Sequence, residues 1–433
     1  MQHETSACPA GHGSRQTEGP ERTQGAQGTE GTEAADLRER EPIAFPTARP
    51  TGCPFNPPAE LGELREQDPL VPLQFPDGHV GWLATGYDMV RSLFADPRFS
   101  SKYELMHYPF ADIGELPSAP VGDMTGMDAP EHTRFRKLLM GRFTVRRMRE
   151  LTSRAEQITA EHLDAMERRG GPVDLVKEFA QPIPALMICE LLGVPTVDRE
   201  KFQKWTLQLT THVTDQQAQG EAMNALGEYM HKLVLVKRAN PTDDMLSDLT
   251  KNDLTDEELT GVSSFLLAAG LDTTANMIAF GTFALLRNPA QFAALREEPS
   301  LAPQAVEELM RYLTIATTTV KSALEDVELD GRLIKAGQSV AMSIEAANRD
   351  PLRFPDPDTL DLRRKATGHL GFGHGIHQCL GQQLARVEMQ VAIPALVSRF
   401  PDLRLAVPSE DVPLRTGMSI FGVHSLPVTW GEA

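Results

Sequence analysis

One apolar segment near the middle of the chain, SSFLLAAGLDTTANMIAFGTFALL (residues 263–286), constrains the fold more than any other feature. As a helix it is long enough to cross a bilayer, which takes about 20 residues. However, Asp272, Thr273 and Asn276 interrupt it, and a charge at the centre of a spanning helix is costly. The segment therefore predicts a long helix buried in a protein core, with a polar notch halfway along.

Composition narrows the class of protein. The chain has 433 residues, 41% of them hydrophobic, which suits a globular protein with a large core. A formal net charge of -18 argues against nucleic-acid binding, which needs a basic surface. The cysteines are too few and too scattered for a disulfide framework, so a reducing cytoplasm is expected. They are Cys8, Cys53, Cys189 and Cys379.

The chain is expected to consist of a disordered tail, residues 1–44, and one domain, residues 45–433. The tail is rich in Gly, Thr, Gln and Glu and lacks the apolar run of an export signal or a membrane anchor. No repeat and no linker divides the rest. Helical periodicity from Pro130 to about residue 320 makes the domain mainly α.

Small β-sheets are predicted near both ends of this domain. Pro76-Asp77-Gly78 is turn chemistry between two apolar stretches and predicts a β-hairpin. The segments DVELDGRLIKAG (326–337) and SVAMSIEAAN (339–348) are also typical of strands. Residues 101–126, rich in Pro, Gly and aromatic side chains, suit a long functional loop, and a last helix begins near Leu380.

The polar notch of the central segment has two interpretations. Gly270 costs about 1 kcal/mol in a helix relative to alanine. Asp272, Thr273 and Thr274 need partners or water if they are buried. Either the glycine serves packing and the hydroxyls bond back to the helix, or the helix opens locally at a functional site beside a proton donor.

Two charged patterns are ambiguous by themselves. Glu308 and Arg311 in AVEELMRYLT share one helix face, which is common on surfaces. In PEHTRFRKLLMGRFTVRRMRE, His132 and Arg136 share a face, and the run from 134 to 149 holds basic residues and no acid. That run is either a solvated helix face or a docking surface for an acidic partner. In the second case, the cations that point into the protein would bind an acidic ligand. Its basic residues are Arg134, Arg136, Lys137, Arg142, Arg146, Arg147 and Arg149.

The most specific pattern is a cysteine loop, GFGHGIHQCLGQQLARVE (residues 371–388). A thiolate at a helix N-terminus is stabilised by free N–H groups, and the glycines let a flat ligand approach. Zinc would need several donors to converge tetrahedrally, and a phosphate loop would end in Lys-Ser/Thr, which is missing. A thiol that binds iron is the third possibility. The candidate zinc donors are His369, His374, His377 and Cys379.

The loop resembles the signature of the cytochrome P-450 family, the haem-thiolate monooxygenases: Phe-Gly-x-Gly-x-His/Arg-x-Cys-x-Gly. Every fixed position matches. AGLDTT, ELMR and PEHTRFR resemble three further segments of that family, in family order. The resemblance covers roughly residues 45–433 and is to the soluble bacterial, actinobacterial-like class. The matching positions are Phe372, Gly373, Gly375, His377, Cys379 and Gly381.

The resemblance implies a mainly α fold with small β-sheets, in which a long central helix lies over haem b and the cysteine loop precedes a late helix. Cys379 would be the axial ligand of the haem iron, a role in which thiolate favours O–O cleavage. Phe372 and Gly381 would lie against the haem, and Gly270 would leave room for O₂. His132, Arg136, His377 and Lys321 would bind the propionates; Lys321 stands where the family usually has Arg.

The resemblance also implies roles for two further sets of residues. Asp272 and Thr273 would relay protons to the activated oxygen. Glu308, Arg311 and Arg364 would form a buried ion network behind the haem loop. Electrons would come from NAD(P)H through ferredoxin reductase and an acidic ferredoxin that docks on the stretch from Arg134 to Arg149.

The reaction implied is the insertion of one oxygen atom from O₂ into a lipophilic small molecule, by hydroxylation or epoxidation, in natural-product biosynthesis. A cytoplasmic monomer without nucleic-acid or membrane partners is expected. A non-catalytic haem sensor or carrier and a zinc hydrolase are the alternatives, and His369 and His374 are expected to be structural. The expected substrate pocket comprises the segment near 199–225 and Tyr103, Met106, Tyr108, Leu266, Ala269, Thr274, Thr317, Thr318, Val320, Ile420 and Phe421.

Overall fold

The computed structural model describes residues 40–142, 145–202, 204–205, 216–416 and 420–431. The predicted tail, residues 1–44, therefore lies almost wholly outside the described residues. The division into a tail and one domain stays a prediction.

Helices form most of the described chain, as the periodicity predicted. Those referred to below are α1 (Ala59–Gln67), α2 (Tyr87–Ala95), α3 (Glu131–Met140), α4 (Val145–Arg169), α5 (Pro182–Leu192), α6 (Gln216–Ala239), α7 (Met245–Leu249), α8 (Asp256–Leu286), α9 (Pro289–Glu297), α10 (Ala302–Leu313), α11 (Ile344–Asn348) and α12 (Gln382–Arg399). The last of them is the predicted late helix, and it follows the cysteine loop directly.

The strands are short, and all except β4 fall near the two ends of the chain, as predicted. They are β1 (Leu70–Gln74), β2 (Val80–Ala84), β3 (Phe99–Ser100), β4 (Val173–Asp174), β5 (Thr318–Ala323), β6 (Val327–Leu329), β7 (Arg332–Ile334), β8 (Ser339–Ser343), β9 (Arg404–Leu405) and β10 (Pro427–Thr429). They form sheets in the orders β1-β2-β8-β5-β3, β4-β10-β9 and β6-β7.

The predicted hairpin is confirmed, and one predicted strand is half wrong. Strands β1 and β2 pair antiparallel across the turn at Pro76–Gly78, where Gly78 has a φ of +92°. In SVAMSIEAAN only the first half is a strand. The Ser343 side chain accepts a hydrogen bond from the Ala346 N–H, which caps α11 and converts the second half into a helix.

Helix α8 is the buried central helix that the apolar segment predicted. It begins at a capping box in which Thr255 and Glu258 satisfy each other's backbone N–H groups. Helices α5, α6 and α12 pack against it. Among the described helices, α8 alone is long and apolar enough to cross a membrane, and 61% of its most apolar window is buried within the protein.

The polar notch does not open α8. The helix is continuous through Gly270, Asp272 and Thr273, and the Thr273 hydroxyl donates to the Ala269 carbonyl at 2.9 Å. Packing does not require Gly270, because a Cβ there would only touch Ile188 at an ordinary 3.4 Å. The back-bonded hydroxyl is therefore observed, whereas the glycine needs another explanation.

The cysteines differ in state. Cys189 and Cys379 carry free thiols, and burial raises the pKa of Cys189 to about 12. Cys53 is disulfide-bonded.

Candidate active site

A single large cavity brings the predicted motifs together. It encloses about 1610 Å³, counting its opening to solvent. Helices α3, α5, α8 and α12, the cysteine loop and the start of β5 supply its walls. Predicted site residues that line it are His132, Arg136, Leu266, Ala269, Gly270, Thr273, Thr274, Phe372, His377, Cys379, Gly381 and Ile420.

The Cys379 thiol faces this cavity from the N-terminal end of α12. Its side chain is exposed, but to the cavity rather than to the outer surface, since protein surrounds it on nearly all sides. Burial raises the pKa of the thiol, while the backbone N–H groups of Gly381 and Gln382 and the nearby Arg136 oppose that rise. These groups are the ones that would stabilise a thiolate bound to a metal.

The presence of glycine at positions 373, 375 and 381 of the cysteine loop has different physical explanations. Gly373 and Gly375 have φ angles of +68° and +72°, which favour glycine. A Cβ on Gly375 would also lie 2.9 Å from the Phe94 carbonyl oxygen. Gly381 has an ordinary φ of -78°, and nothing lies within 4 Å of the position its Cβ would take. A glycine at position 381 is explained by a ligand that fills that part of the cavity.

A cluster of basic groups forms one end of the cavity. The rings of His132 and His377 are 4.2 Å apart, and His132 Nδ1 is buried with no hydrogen-bond partner in the described part of the chain. Burial lowers the pKa of both; the charge of Arg136 lowers that of His132 further, and the charge of His132 lowers that of His377, to about 3. Burial also lowers the pKa of Arg136 and Lys321 nearby. A dianionic group placed here would relieve this repulsion, so the residues present fit a haem with two propionates.

Lys321 differs from expectation, and one carboxylate, Asp128, lies close to the cluster. The Lys321 ammonium lies 2.9 Å from the Phe94 carbonyl oxygen and 3.4 Å from that of Leu93, and it does not line the cavity. It therefore satisfies the C-terminal end of α2. Asp128, the carboxylate that acts on both histidines, accepts hydrogen bonds from Ser100 and Ser101. The cluster keeps an excess of positive charge.

The acid and alcohol of α8 point to different surroundings. Thr273 lines the cavity, whereas Asp272 does not. Asp272 Oδ2 accepts a hydrogen bond from Arg415 Nη1 at 2.6 Å, and its Oδ1 is buried without a partner among the described residues. The pair is therefore adjacent in sequence but not hydrogen-bonded to each other.

The predicted ion network is present, and its Glu308–Arg311 pair is fully buried. Arg311 Nε and Nη2 donate to the two carboxylate oxygens of Glu308 at 2.7 and 2.8 Å, and both side chains have 0% exposure. Arg364 Nε donates to Glu308 Oε1 at 3.1 Å. Arg311 Nη1 also donates to the carbonyls of Asn348 and Pro357. The network thus joins α10 to the segment that leads into the cysteine loop.

Three aromatic and sulfur residues of the 101–126 loop were expected in the pocket and do not line it. The Tyr103 hydroxyl bonds to Asp123 at 2.9 Å, which points the ring into the loop. Met106 packs on a separate core beside Phe110, and Tyr108 packs edge-on against Phe110. Met124 and Thr125 face the cavity in their place. Most of the expected segment near 199–225 lies outside the described residues.

Thr317, which precedes β5, was expected in the pocket but does not line it. Within β5, Thr318 and Val320 were expected there, whereas Thr319 lines the cavity instead, together with Ile315 and Ala316 of the preceding segment. Alternate side chains of a strand point to opposite faces, so an error of one residue selects the wrong face. Phe421 also turns away: its ring packs on Phe280 at 5.5 Å and beneath the Arg49 guanidinium at 3.7 Å.

The histidines of the cysteine loop do not converge. His369 Nδ1 accepts a hydrogen bond from Gly371 N–H, and its Nε2 lies 3.3 Å from Glu307 Oε2 without the alignment of a hydrogen bond. His374 does not line the cavity. No group of three or more metal-ligating side chains is found within the described ranges. The zinc site is therefore not supported, and His369 is structural, as expected.

Most of the arginines in the basic stretch pair with acidic or amide side chains of the same chain, largely at the surface. Arg134 pairs with Glu258, Arg146 with Asp243 at 3.1 Å and Arg147 with Asp248 at 3.0 Å. Arg142 bonds to Asn252. These contacts therefore hold α3 and α4 against α7 and the start of α8, and they leave little of the positive charge of the stretch unpaired. Lys137 and Arg149 are exposed, and no carboxylate of the described chain forms an ion pair with them.

Sequence reasoning missed three charged residues near the site. Arg415 reaches Asp272 across 143 residues of sequence. Glu388 lines the cavity from α12, and burial raises its pKa well above the usual value. Arg386 lies over the Phe372 ring at 4.4 Å and pairs with Glu307 at 2.6 Å. An acid on an apolar helical face could have flagged Glu388; no local signal marks Arg415.

Together the thiol at a helix N-terminus, the basic cluster and the long apolar helix define a haem-thiolate protein. The chain belongs to the cytochrome P-450 family, and it is a monooxygenase. The family profile, described as cytochrome P450, matches residues 216–430. This membership replaces the alternatives of a zinc hydrolase and a non-catalytic haem carrier.

Relatives from Streptomyces cover nearly the whole chain. Cytochrome P450 105C1 of a Streptomyces species is 47% identical over 397 residues, 91% of this chain and 100% of the relative. Pentalenic acid synthase of Streptomyces avermitilis is 42% identical over 395 residues, 90% of this chain and 98% of the relative. The structure of CYP105P2 of Streptomyces peucetius with a biphenyl compound is 43% identical, with a TM-score of 0.85, and covers 90% of this chain and 99% of that one.

Proposed function

We propose that this monooxygenase inserts one oxygen atom from O₂ into a neutral, lipophilic natural product, by hydroxylation or epoxidation. Electrons come from NAD(P)H through ferredoxin reductase and ferredoxin. One observation carries the proposal: a single cavity holds the Cys379 thiol and the basic cluster at one end and mostly apolar side chains elsewhere.

The residues around the cavity divide the work of holding haem b. Cys379 Sγ binds the iron, and the N–H groups of Gly381 and Gln382 stabilise the negative charge on sulfur. His132, Arg136 and His377 bind the propionates, and Phe372 covers the sulfur side beneath Arg386. The bound haem supplies the binding and reductive activation of O₂, for which thiolate ligation is suited.

Gly270 and Thr273 shape the oxygen side of the cavity. Because packing does not require a glycine at 270, its missing side chain provides space along α8. The Thr273 hydroxyl is held by the Ala269 carbonyl, which leaves its oxygen available to accept and orient a proton donor. Asp272 passes protons toward Thr273, so that water does not need to flood the cavity.

The remaining walls select the substrate class. Leu266, Ala269, Thr274 and Ile420 line this region, with Phe265, Ile188 and Leu191 beside them. Apart from the groups assigned to haem, Glu388 is the charged residue of the described lining, and burial favours its neutral form. A neutral lipophilic molecule therefore fits better than an ion. The relative named vitamin D3 dihydroxylase supports this class.

Electron delivery is proposed to occur at exposed cations near the cysteine loop. The sequence contains no flavin or iron–sulfur motif, so an external donor is needed. Lys137 follows Arg136 on α3, and Arg91 lies near His374 of the loop. These unpaired cations, rather than the neutralised arginines of α4, form the docking surface for an acidic ferredoxin. The enzyme acts as a cytoplasmic monomer, with residues 45–433 as the catalytic domain.

The proposal is tested with purified protein loaded with haem. The ferrous, carbon-monoxide-bound protein should show the strongly red-shifted Soret band of thiolate ligation, and Cys379→Ser should lose it. Incubation with biphenyl, isotopically labelled O₂, NAD(P)H, ferredoxin and its reductase should give a product with one labelled oxygen atom. Labelled water without labelled product, across a panel of neutral lipophilic compounds, would contradict the proposed reaction.

A further inference from the structure

Arg415 forms a long-range contact with the acid of α8 that the proposed relay does not explain. Its side chain is 4% exposed, and its Nη1 donates to Asp272 Oδ2 at 2.6 Å. A charge-assisted hydrogen bond of this length, with a nearly buried guanidinium, is among the stronger polar contacts in proteins. The carboxylate is therefore not free to rotate.

The contact makes the two oxygens of Asp272 inequivalent. Oδ2 is occupied by Arg415, whereas Oδ1 is buried and has no partner in the described part of the chain. A buried carboxylate oxygen without a hydrogen bond is rare in folded proteins and needs an explanation. Oδ1 is thus the oxygen that remains available to exchange a proton beside Thr273.

Arg415 is itself fixed by a short hairpin near the C-terminus, whose described residues are 414–416 and 420–423. Its backbone N–H donates to the Gly422 carbonyl at 2.9 Å, and its Nε donates to the Val423 carbonyl at 3.1 Å. Asn276, one turn after Asp272 on α8, binds the same hairpin through the Phe421 carbonyl at 2.6 Å and the Val423 N–H at 3.2 Å. Two neighbouring positions of α8 therefore hold one hairpin.

The same hairpin reaches the substrate side of the cavity. Ile420 lines the cavity and forms a bridge with Ala316, which lines it too. A displacement of Ile420 by a bound molecule would be transmitted over a few residues to Arg415. The acid of the relay and a wall of the substrate cavity are thus connected through the paired residues 414–415 and 420–423.

We propose that Arg415 is a positioning residue for the oxygen chemistry: it orients the Asp272 carboxylate, leaves Oδ1 free for proton exchange, and ties that carboxylate to the hairpin that carries Ile420. The inference rests on the proposed function, because it gives Asp272 its proton-relay role. A purely structural role for Arg415 would be shared with Asn276, which holds the same hairpin but does not touch the carboxylate.

The test compares four variants of the full haem-loaded chain: Arg415→Met, Arg415→Lys, Asn276→Ala and Asp272→Asn. Each is reduced through ferredoxin and its reductase with biphenyl as the probe. The readouts are hydrogen peroxide released per NAD(P)H oxidised, in water and in D₂O, and the thermal midpoint. Peroxide yield can be measured whether or not the probe is oxidised.

We expect Arg415→Met to release several-fold more peroxide per NAD(P)H and to show a changed solvent isotope effect. Arg415→Lys should recover most of the native yield, since it restores a cation. Asn276→Ala should melt at a lower temperature with a native yield. A native yield in Arg415→Met, or an equal rise in Asn276→Ala, overturns the inference. If Asp272→Asn also keeps the native yield, the proposed relay itself fails; if only Asp272→Asn leaks peroxide, the inference alone fails.

Discussion

Replacing Arg311 by alanine removes the centre of the buried ion network. The substitution deletes both hydrogen bonds to Glu308, at 2.7 and 2.8 Å, in a place where both side chains have 0% exposure. It also leaves the carbonyls of Asn348 and Pro357 without the donor that lies 3.0 and 2.8 Å from them. Glu308 keeps Arg364 Nε and the Asp361 N–H, each at 3.1 Å.

The expected loss of stability follows from these contacts. Removal of one partner of a buried ion pair costs about 3–5 kcal/mol, because the other charge is stranded. The two donors that remain to Glu308 favour the lower end of that range. Each buried carbonyl left without a donor adds about 1 kcal/mol. We therefore expect Arg311→Ala to lower the free energy of unfolding by about 4–5 kcal/mol, a large share of the roughly 5–15 kcal/mol of a typical domain.

The damage should reach the haem loop first. The Asn348 side chain accepts a hydrogen bond from the Leu370 N–H at 2.7 Å and donates to Thr314 at 2.8 Å. When Arg311 no longer holds the Asn348 carbonyl, this link to the start of the cysteine loop loosens. Haem should therefore be lost at a lower urea concentration, whereas turnover per haem that remains bound should stay near native.

Urea unfolding, followed by circular dichroism and by the Soret band, measures both effects. Arg363→Ala is the matched control: Arg363 lies in the same segment, is 58% exposed and pairs with exposed Glu298. It should change little, as surface pairs do. A double variant, Glu308→Met with Arg311→Met, should lose less than Arg311→Ala because no buried charge is stranded. An Arg311→Ala protein with native stability, or with full haem content and slow turnover, would refute the reasoning.

Three further predictions concern proton delivery, pH and docking. Thr273→Ala should keep native thermal stability but release peroxide in place of product, measured against NAD(P)H oxidation; unchanged coupling would remove Thr273 from the mechanism. Although burial opposes its ionisation, contacts with His369 and Arg386 lower the pKa of Glu307 from 4.5 to about 2. A lowered pKa stabilises the fold above pH 4.5, and this stabilisation is lost as the pH falls toward 2. Allowing for solvent screening, this stabilisation is worth about 2 kcal/mol. The urea midpoint of Glu307→Gln should therefore depend less on pH between pH 2 and 4.5 than the native midpoint does. Plots of midpoint against pH that run parallel for the two proteins would contradict this prediction. Lys137→Glu should slow reduction by ferredoxin and weaken its salt dependence, whereas Lys137→Arg should not; equal rates for both would exclude electrostatic docking there.

Local patterns predicted the elements of the fold well. The hairpin around Gly78 and the long helices follow from turn chemistry and periodicity, which act over a few residues. The α11 helix was missed because IEAAN is a short buried run whose state depends on the Ser343 cap and on burial. Short buried runs of this kind do not distinguish strand from helix by their pattern.

The candidate site divides in the same way. Residues fixed by motifs, such as Cys379 and His377, line the cavity as expected, since the motif sets their spacing on one loop. Residues expected from composition, such as Tyr103, form hydrogen bonds within their own loop and do not line the cavity. In β5, the choice between Thr318 and Thr319 depends on register, which sequence alone does not set. The Arg415 contact joins positions too distant for any local signal.

The basic cluster around His132 has a consequence for the life of the protein in the cell. Chains made faster than the prosthetic group is supplied would carry an unbalanced positive end in an otherwise apolar chamber. Such chains would be less durable than finished ones, because their mutually repelling groups favour opening. Binding of the dianionic prosthetic group would balance this charge and would stabilise the folded chain over the unfolded one.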